Sequence, residues 1–467
     1  MSSDVQTGTI KTQIPARLDR LPWSRFHWKV IIGLGTVWIL DGLEVTIVGG
    51  IAGRVGEKGA GVGISAADVS GLAASLYVAG ACVGALVFGQ LTDRFGRKKL
   101  FMITLGVYLA ATTLTAFSFS PLWFYVFRFF TGFGIGGEYS AINSAIDELI
   151  PARNRGRCDI AINGSYWAGA AGGALLAVLA LNTSIFAVNL GWRLCFALGA
   201  VLGLGVLLVR RSVPESPRWL FIHGREDEAE EVVSDIERQV RESTGRELPE
   251  PEGEITVRQR RVIPLSLTVR SVVTLYPKRT VLGLALFVGQ AFLYNSILFG
   301  PLVLGRLFDT VGRKPMIAGT YLLSGVLLIA TALLFKAHDL TAASLTVALT
   351  IIFFFASAGV SAAYLTVSEI FPMETRALCI SVFYAVGTGL GGIVGPLVFS
   401  HLVSSGSYSE TALGFILGAV MMIIGGLVEL VYGIKAEGRG LEDIAQPLTA
   451  EDAAVGSARR PAVATVG

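Results

Sequence analysis

The chain has 467 residues, of which 52% are hydrophobic and 16% charged, with a formal net charge of +3 and a mean hydropathy of +0.63. Soluble domains usually carry about 25% charged residues, and here the charges cluster between apolar runs of about 20 residues, enough to cross a hydrocarbon layer. That pattern excludes most soluble enzymes, nucleic-acid binders and secreted disulfide scaffolds, and it predicts an all-α polytopic membrane protein.

The N-terminal stretch 1–27 is polar and basic with no short apolar core before a cleavage site, so it reads as a cytoplasmic segment and not a cleaved signal peptide. Apolar runs follow near 30–51, 69–91, 100–119, 122–146, 158–181 and 191–210, giving a six-helix bundle over 28–211. The polar stretch 212–278 contains GREDEAEEVVSDIERQVRES, in which Val232, Val233, Ile236 and Val240 recur at helical spacing. It is expected to be a cytoplasmic linker carrying an amphipathic surface helix. Runs near 280–304, 315–335, 343–368, 377–402 and 411–433 form a second bundle over 279–434, and the small-residue tail 435–467 is expected to be disordered.

Orientation follows from the basic residues. Arg17, Arg20, Arg25 and Lys29 precede the first run, Arg94, Arg97, Lys98 and Lys99 follow the second, and Arg153, Arg155 and Arg157 follow the fourth. Basic loops stay cytoplasmic, which places both termini inside a plasma membrane, in a bacterium the inner membrane. Cys82, Cys158, Cys195 and Cys379 lie within or beside apolar runs without ligand-like spacing and read as small packing residues. No nucleotide loop, metal-ligand cluster or nucleophile–base pair is visible, so neither an enzyme nor a cofactor or metal is expected.

Two segments repeat. GQLTDRFGRKKL begins at Gly89 and GRLFDTVGRKPM at Gly305, with six of twelve positions identical. Downstream of these, ELIPARNR begins at Glu148 and EIFPMETR at Glu369, at offsets of 59 and 64 residues. The chain is therefore two homologous halves, a construction known among transporters. The front of the second half is short: only 24 residues separate Val281 from Gly305, against 59 between Val30 and Gly89. A helix of about 25 residues spans about 38 Å, whereas two crossings need about 60 Å. Roughly 35 residues, most of one helix, are expected to be missing near 299–304, leaving six plus about five helices. A re-entrant 280–304 segment is the alternative.

With DRFGRKK and its second-half copy, RFFTGFGIGG at 128–137 and PESPRWL at 214–220, the chain resembles the major facilitator superfamily from about residue 25 to 435, close to its sugar-porter-like and organic-acid:proton symporter members. The resemblance implies two bundles rocking about a central polar cavity. Glu44, in GLEVTIVGG, aligns with the first-helix acid of proton-coupled members, and Arg128 with their fourth-helix arginine. Asp41 in DGLE resembles the paired acids of organic-acid symporters, as does the GGE containing Glu138. Gln290 and Asn295 partly resemble seventh-helix binding residues of sugar porters.

The residues themselves support this reading. Asp41 and Glu44 lie three apart on one helix face, at about 16 and 21 Å depth from Val30, and Arg128 lies near 20 Å, so an acid–arginine network is feasible. Buried charges are costly on insertion scales, about 2.5 kcal/mol or more each, which marks Asp41, Glu44, Arg128 and Glu138 as proton-coupling candidates. Asn143, Asn163, Tyr166, Trp167, Gln290, Tyr294, Asn295, Tyr364 and Tyr384 are candidate substrate-facing groups. At the cytoplasmic ends, Gly89 and Gly305 permit close helix approach, and Asp93 and Asp309 suit a neighbouring helix N-terminus. Arg97 is expected to pair with Asp147 or Glu148, and Arg313 with Glu369, with Arg376 completing a gate. The expected function is secondary active transport, a proton symport of a small organic solute, with an organic acid favoured and a sugar kept open. The expected partners are that solute, protons and the lipid bilayer, with no nucleic acid, and the chain is expected to act as a monomer. The alternative is a truncated, transport-incompetent or regulatory relative.

Overall fold

A backbone inside a bilayer must satisfy its polar groups internally, which apolar segments achieve by coiling into helices. The computed structural model describes residues 6–210, 213–260, 276–291, 310–372, 375–394, 405–437 and 439–445, with isolated positions at 274, 307, 308, 398 and 402. In the first half the long helices are α2 (Arg25–Val55), α3 (Ala66–Phe95), α4 (Arg97–Ala116), α5 (Pro121–Leu149), the broken pair α6 (Ala152–Gly164) and α7 (Tyr166–Ala180), and α8 (Val188–Arg210). The second half holds α11 (Pro277–Ala291), α12 (Arg313–Lys336), α13 (Ala342–Ile370), α14 (Arg376–Val394) and α15 (Tyr408–Tyr432). Eight helices among the described residues are long and apolar enough to cross a membrane. Exposed Val201, Leu204, Leu208, Leu333 and Val431 lie on these helices, part of an apolar shell suited to lipid.

Within the first half α3 packs on α5 and α2 on α7; within the second, α12 packs on α15 and α11 on α14. Contacts between α14 and α3, α14 and α5, and α13 and α6 join the halves. The helices approach closely through glycine. A Cβ on Gly42 would lie 1.9 Å from the Tyr166 carbonyl oxygen on α7. Gly42→Ala is therefore expected to overpack the α2–α7 seam and destabilise by about 1–3 kcal/mol, read as a lower midpoint of thermal aggregation in detergent. The break between α6 and α7 falls at Ser165, whose hydroxyl donates to the carbonyls of Ile162 and Gly35, at 2.6 and 2.9 Å.

The sequence repeat is a structural repeat. Gly96 (φ 95°) and Gly312 (φ 110°) both hold a left-handed backbone and lead directly into α4 and α12. The segment expected to lack most of a helix, 299–304, lies outside the described residues, as do Gly305 and Asp309.

The polar regions carry more structure than their composition predicts. Strand β1 (Gln6–Thr12), from the N-terminal segment, pairs antiparallel with β2 (Ile255–Arg260), from the end of the linker. After β1 comes α1 (Ile14–Asp19), packed on the linker helix α10 (Glu226–Thr244). Val233, Ile236 and Val240 of α10 are buried, as their spacing predicts, whereas Val232 is only half-buried at the edge of that face. The expected disorder of the tail does not hold over 439–445, where the short helix α16 (Leu441–Ile444) buries Leu441 and Ile444.

Arg17 and Arg20 fasten α1 to α10 through Glu237, at 2.9 and 2.5 Å. Burial alone would raise the Glu237 carboxyl, but the hydrogen bonds and charges of Arg17 and Arg20 outweigh it and hold the group below its ordinary range. A depressed carboxylate stabilises above the unfolded value, about 4.3 for Glu, and the stabilisation is lost as pH falls through the lowered folded value. Spin labels on β1 and β2 should therefore keep one short distance from neutral pH down to about 4 and broaden below it, whereas Glu237→Gln should broaden the distribution severalfold already at pH 7.

Candidate functional site

Asp41 and Glu44 both turn into the protein from α2 and are buried, yet they find different partners. Glu44 accepts a hydrogen bond from Arg128 Nη1 at 2.5 Å and a second from Thr112 Oγ1 at 3.1 Å. The Arg128 guanidinium sits 4.6 Å from the centre of the Tyr77 ring. Asp41 instead accepts from two phenols, Tyr77 at 2.8 Å and Tyr139. The expected network is therefore split: Glu44 is ion-paired with Arg128, while Asp41 is hydrogen-bonded to Tyr77, whose ring lies under that guanidinium, and to Tyr139. Glu138 is buried on α5 beside Tyr139.

The Asn143 side chain donates to the Tyr139 carbonyl of its own helix at 2.7 Å. Asn163 Nδ2 donates to Asn143 Oδ1 at 3.3 Å and to the buried Asp159 at 3.0 Å. Tyr166 is buried edge-on to the partly buried Trp167. Tyr364 and Tyr384, from the second half, meet Trp38 and Tyr139 of the first where the halves touch. Gln290 lies in α11 with its side chain outside the described residues, and Tyr294 and Asn295 lie outside them altogether.

The basic end of the molecule is closed by a crosswise exchange. Arg97 pairs with Glu148 at 2.9 Å, and Arg313 pairs with Glu369, each within its own half. Arg155 then reaches across to Glu369 at 3.4 Å, and Arg376 reaches back to Glu148 at 3.5 Å. Asp147 lies 3.9 Å from both Arg155 and Arg376. The groups are buried, so each charge depends on its partner. Asp93 Oδ2 accepts from the Leu378 backbone N–H at 3.2 Å, the first half thereby capping the start of a second-half helix. A Cβ on Gly89 would clash with Ser381, so α3 and α14 lie against one another there.

Residues not singled out from sequence complete this closure. In PESPRWL, Glu215 accepts from the backbone N–H groups of Arg97 and Lys98, at 2.9 and 3.2 Å. Desolvation raises its carboxyl, partly offset by the Ser216 N–H and by Arg97. Arg218, on α9 (Pro217–Ile222), pairs with Glu442 of α16 at 2.9 Å and with Asp19 of α1 at 3.5 Å. Asp19 also meets Arg155 at 3.6 Å. The N-terminal segment, linker and tail thus converge on the interlock. Arg155 was legible: it closes the same E-x-x-P-x-x-x-R motif as Arg376. Asp19 and Glu442 gave no periodic signal.

Residues 50–331 match the family model described as sugar (and other) transporter, and residues 272–464 match that of the major facilitator superfamily. The chain is 29% identical over 452 residues to the niacin transporter NiaP of Acinetobacter baylyi, covering 92% of this chain and 99% of that one. It is likewise 29% identical to the putative metabolite transport protein YdjK of Escherichia coli, covering 93% and 97%. Its fold is similar to that of the proton:xylose symporter XylE bound to 6-bromo-6-deoxy-D-glucose, with a TM-score of 0.70 at 17% identity over 89% of this chain and 98% of that one. With the duplicated gate motifs and the matched family model, the chain belongs to the sugar (and other) transporter family of the major facilitator superfamily, a family of membrane transporters and not of enzymes.

Proposed function

We propose that the protein is a proton-coupled secondary transporter that moves a small organic acid across the plasma membrane by alternating access, with its basic end and both termini in the cytoplasm. One observation carries the coupling: a carboxylate and an arginine, Glu44 and Arg128, are buried against one another in the helical core of the first half. An ion pair removed from water is held together by charge, and protonating the acid releases the arginine. Protonation of Glu44 frees Arg128 for a substrate carboxylate, which an arginine can take in bidentate fashion. Loss of the proton on the other side restores the pair and ejects the anion. The interlock of Arg155, Glu369, Arg376 and Glu148 keeps the cytoplasmic side shut meanwhile.

The acid is favoured by Arg128, by the DGLE and GGE motifs, and by the niacin named for the relative, which is itself an organic acid. The test is reconstitution in liposomes with an imposed inward proton gradient and labelled nicotinate or xylose. Gradient-driven nicotinate accumulation above protein-free liposomes supports the reading. Driven uptake of xylose alone moves the substrate to sugars. Solute binding with neither uptake nor counterflow identifies a transport-incompetent relative.

A further inference from the structure

Five large rings meet where the halves touch. Trp38 (α2) and Tyr139 (α5) come from the first half, and Phe287 (α11), Tyr364 (α13) and Tyr384 (α14) from the second, all of them buried. Trp38 stacks on Tyr139 with centroids 4.7 Å apart and planes 19° apart. Tyr139 meets Tyr384 at 4.6 Å, Trp38 meets Tyr364 at 5.7 Å, and Phe287 stands edge-on to Tyr364 at 4.8 Å. Trp38–Tyr364 and Tyr139–Tyr384 each join opposite halves, so they must part whenever the halves separate.

From this geometry we infer that the ring cluster is the binding site for a solute carrying a flat aromatic or heteroaromatic ring with a hydrogen-bond acceptor on it; this rests on the transporter reading above and names its substrate class. Each aromatic pair is worth about 0.5–1.5 kcal/mol beyond area burial. When the seam opens those contacts are lost, and a planar ring inserted between Tyr139 and Tyr384 restores them on both faces. A second observation points the same way. Trp38 Nε1 is buried and has no hydrogen-bond partner among the described residues, a state that costs about 1–3 kcal/mol. An acceptor on the bound ring, such as a carboxylate or carboxamide oxygen, would satisfy it. A sugar, by contrast, carries a hydroxyl on nearly every carbon and needs more polar partners than a cluster of five rings supplies. The cluster also reaches the acids directly, because the Tyr139 hydroxyl donates to Asp41.

The test is equilibrium binding to the purified full chain without any gradient, followed by calorimetry, using benzoate, nicotinamide, cyclohexanecarboxylate and xylose. Benzoate and cyclohexanecarboxylate match in charge and size and differ in planarity. Benzoate and nicotinamide should each bind at least tenfold more tightly than cyclohexanecarboxylate. Tyr384→Leu should bring the benzoate-to-cyclohexanecarboxylate ratio close to one, and Trp38→Phe, which keeps a ring but loses the N–H, should weaken both ring ligands severalfold. Thermal melting establishes that each variant is folded, and a melted variant is replaced by Tyr364→Leu, for which the same collapse of the ratio is expected. Equal binding of benzoate and cyclohexanecarboxylate, no binding of either ring ligand, tighter binding of xylose, or an unchanged ratio in the folded variants overturns the inference. Ring binding without proton-driven uptake contradicts the transport reading alone, and proton-driven xylose uptake without ring binding contradicts this inference alone.

Discussion

Glu44→Gln will abolish accumulation of solute driven by a proton gradient, reducing it at least tenfold, while solute counterflow continues. The glutamine keeps the shape of the side chain and an oxygen for Arg128 and Thr112, which hold Glu44 at 2.5 and 3.1 Å. It cannot carry a proton or a charge. Counterflow needs only the movement of the halves and the solute, so its survival separates lost coupling from lost folding. The substitution also leaves the buried Arg128 without a counter-ion, which costs about 3–5 kcal/mol, and lower thermal stability accompanies the phenotype. Asp41→Asn is the contrasting case: Asp41 is held by the Tyr77 and Tyr139 hydroxyls, whereas Arg128 pairs with Glu44, so coupling through the Glu44–Arg128 pair is retained. Undiminished gradient-driven uptake in Glu44→Gln would refute the assignment.

The second large effect is at the interlock. Arg376→Ala removes the second half's reach to Glu148 and Asp147, at 3.5 and 3.9 Å, and leaves those buried acids more dependent on Arg97 and Arg155. Breaking a buried pair costs about 3–5 kcal/mol, and since each 1.4 kcal/mol is tenfold, the closed state should lose at least about a hundredfold in population relative to the open one. Cys379, buried three residues along α14, is a natural reporter. In a chain with Cys82, Cys158 and Cys195 replaced by Ala, Arg376→Ala should raise the rate of Cys379 labelling by a water-soluble maleimide at least tenfold, and Arg376→Lys should raise it less. An unchanged rate would show that the crosswise pairs do not hold this end shut.

Much of this architecture was written in local sequence. Apolar runs between charged loops marked the long helices, because a bilayer imposes both length and composition on a crossing. The paired DRFGRKK-type segments align Gly96 with Gly312, and the two hold the same left-handed backbone, which the repeat alone did not announce. Helical spacing put Asp41 and Glu44 on one face, yet it could not say which neighbour each would meet. That choice is made by α3, α4 and α5, whose Tyr77, Thr112, Arg128 and Tyr139 are distant in sequence. The β1–β2 pairing was equally hidden, because it joins Lys11 to Thr256 and neither strand alternates strongly enough to signal itself. Asp19 and Glu442 became legible only once the N-terminal segment and the tail were seen folded onto Arg218.

The most direct measurement is of proton movement on solute addition. Nicotinate or benzoate is added to weakly buffered, de-energised proteoliposomes and the external pH followed, with protein-free liposomes as the baseline. A solute that travels with a proton through the Glu44–Arg128 pair will alkalinise the medium transiently above that baseline, and Glu44→Gln will abolish the signal. Solute uptake with no alkalinisation, or an alkalinisation that survives in Glu44→Gln, would contradict the account.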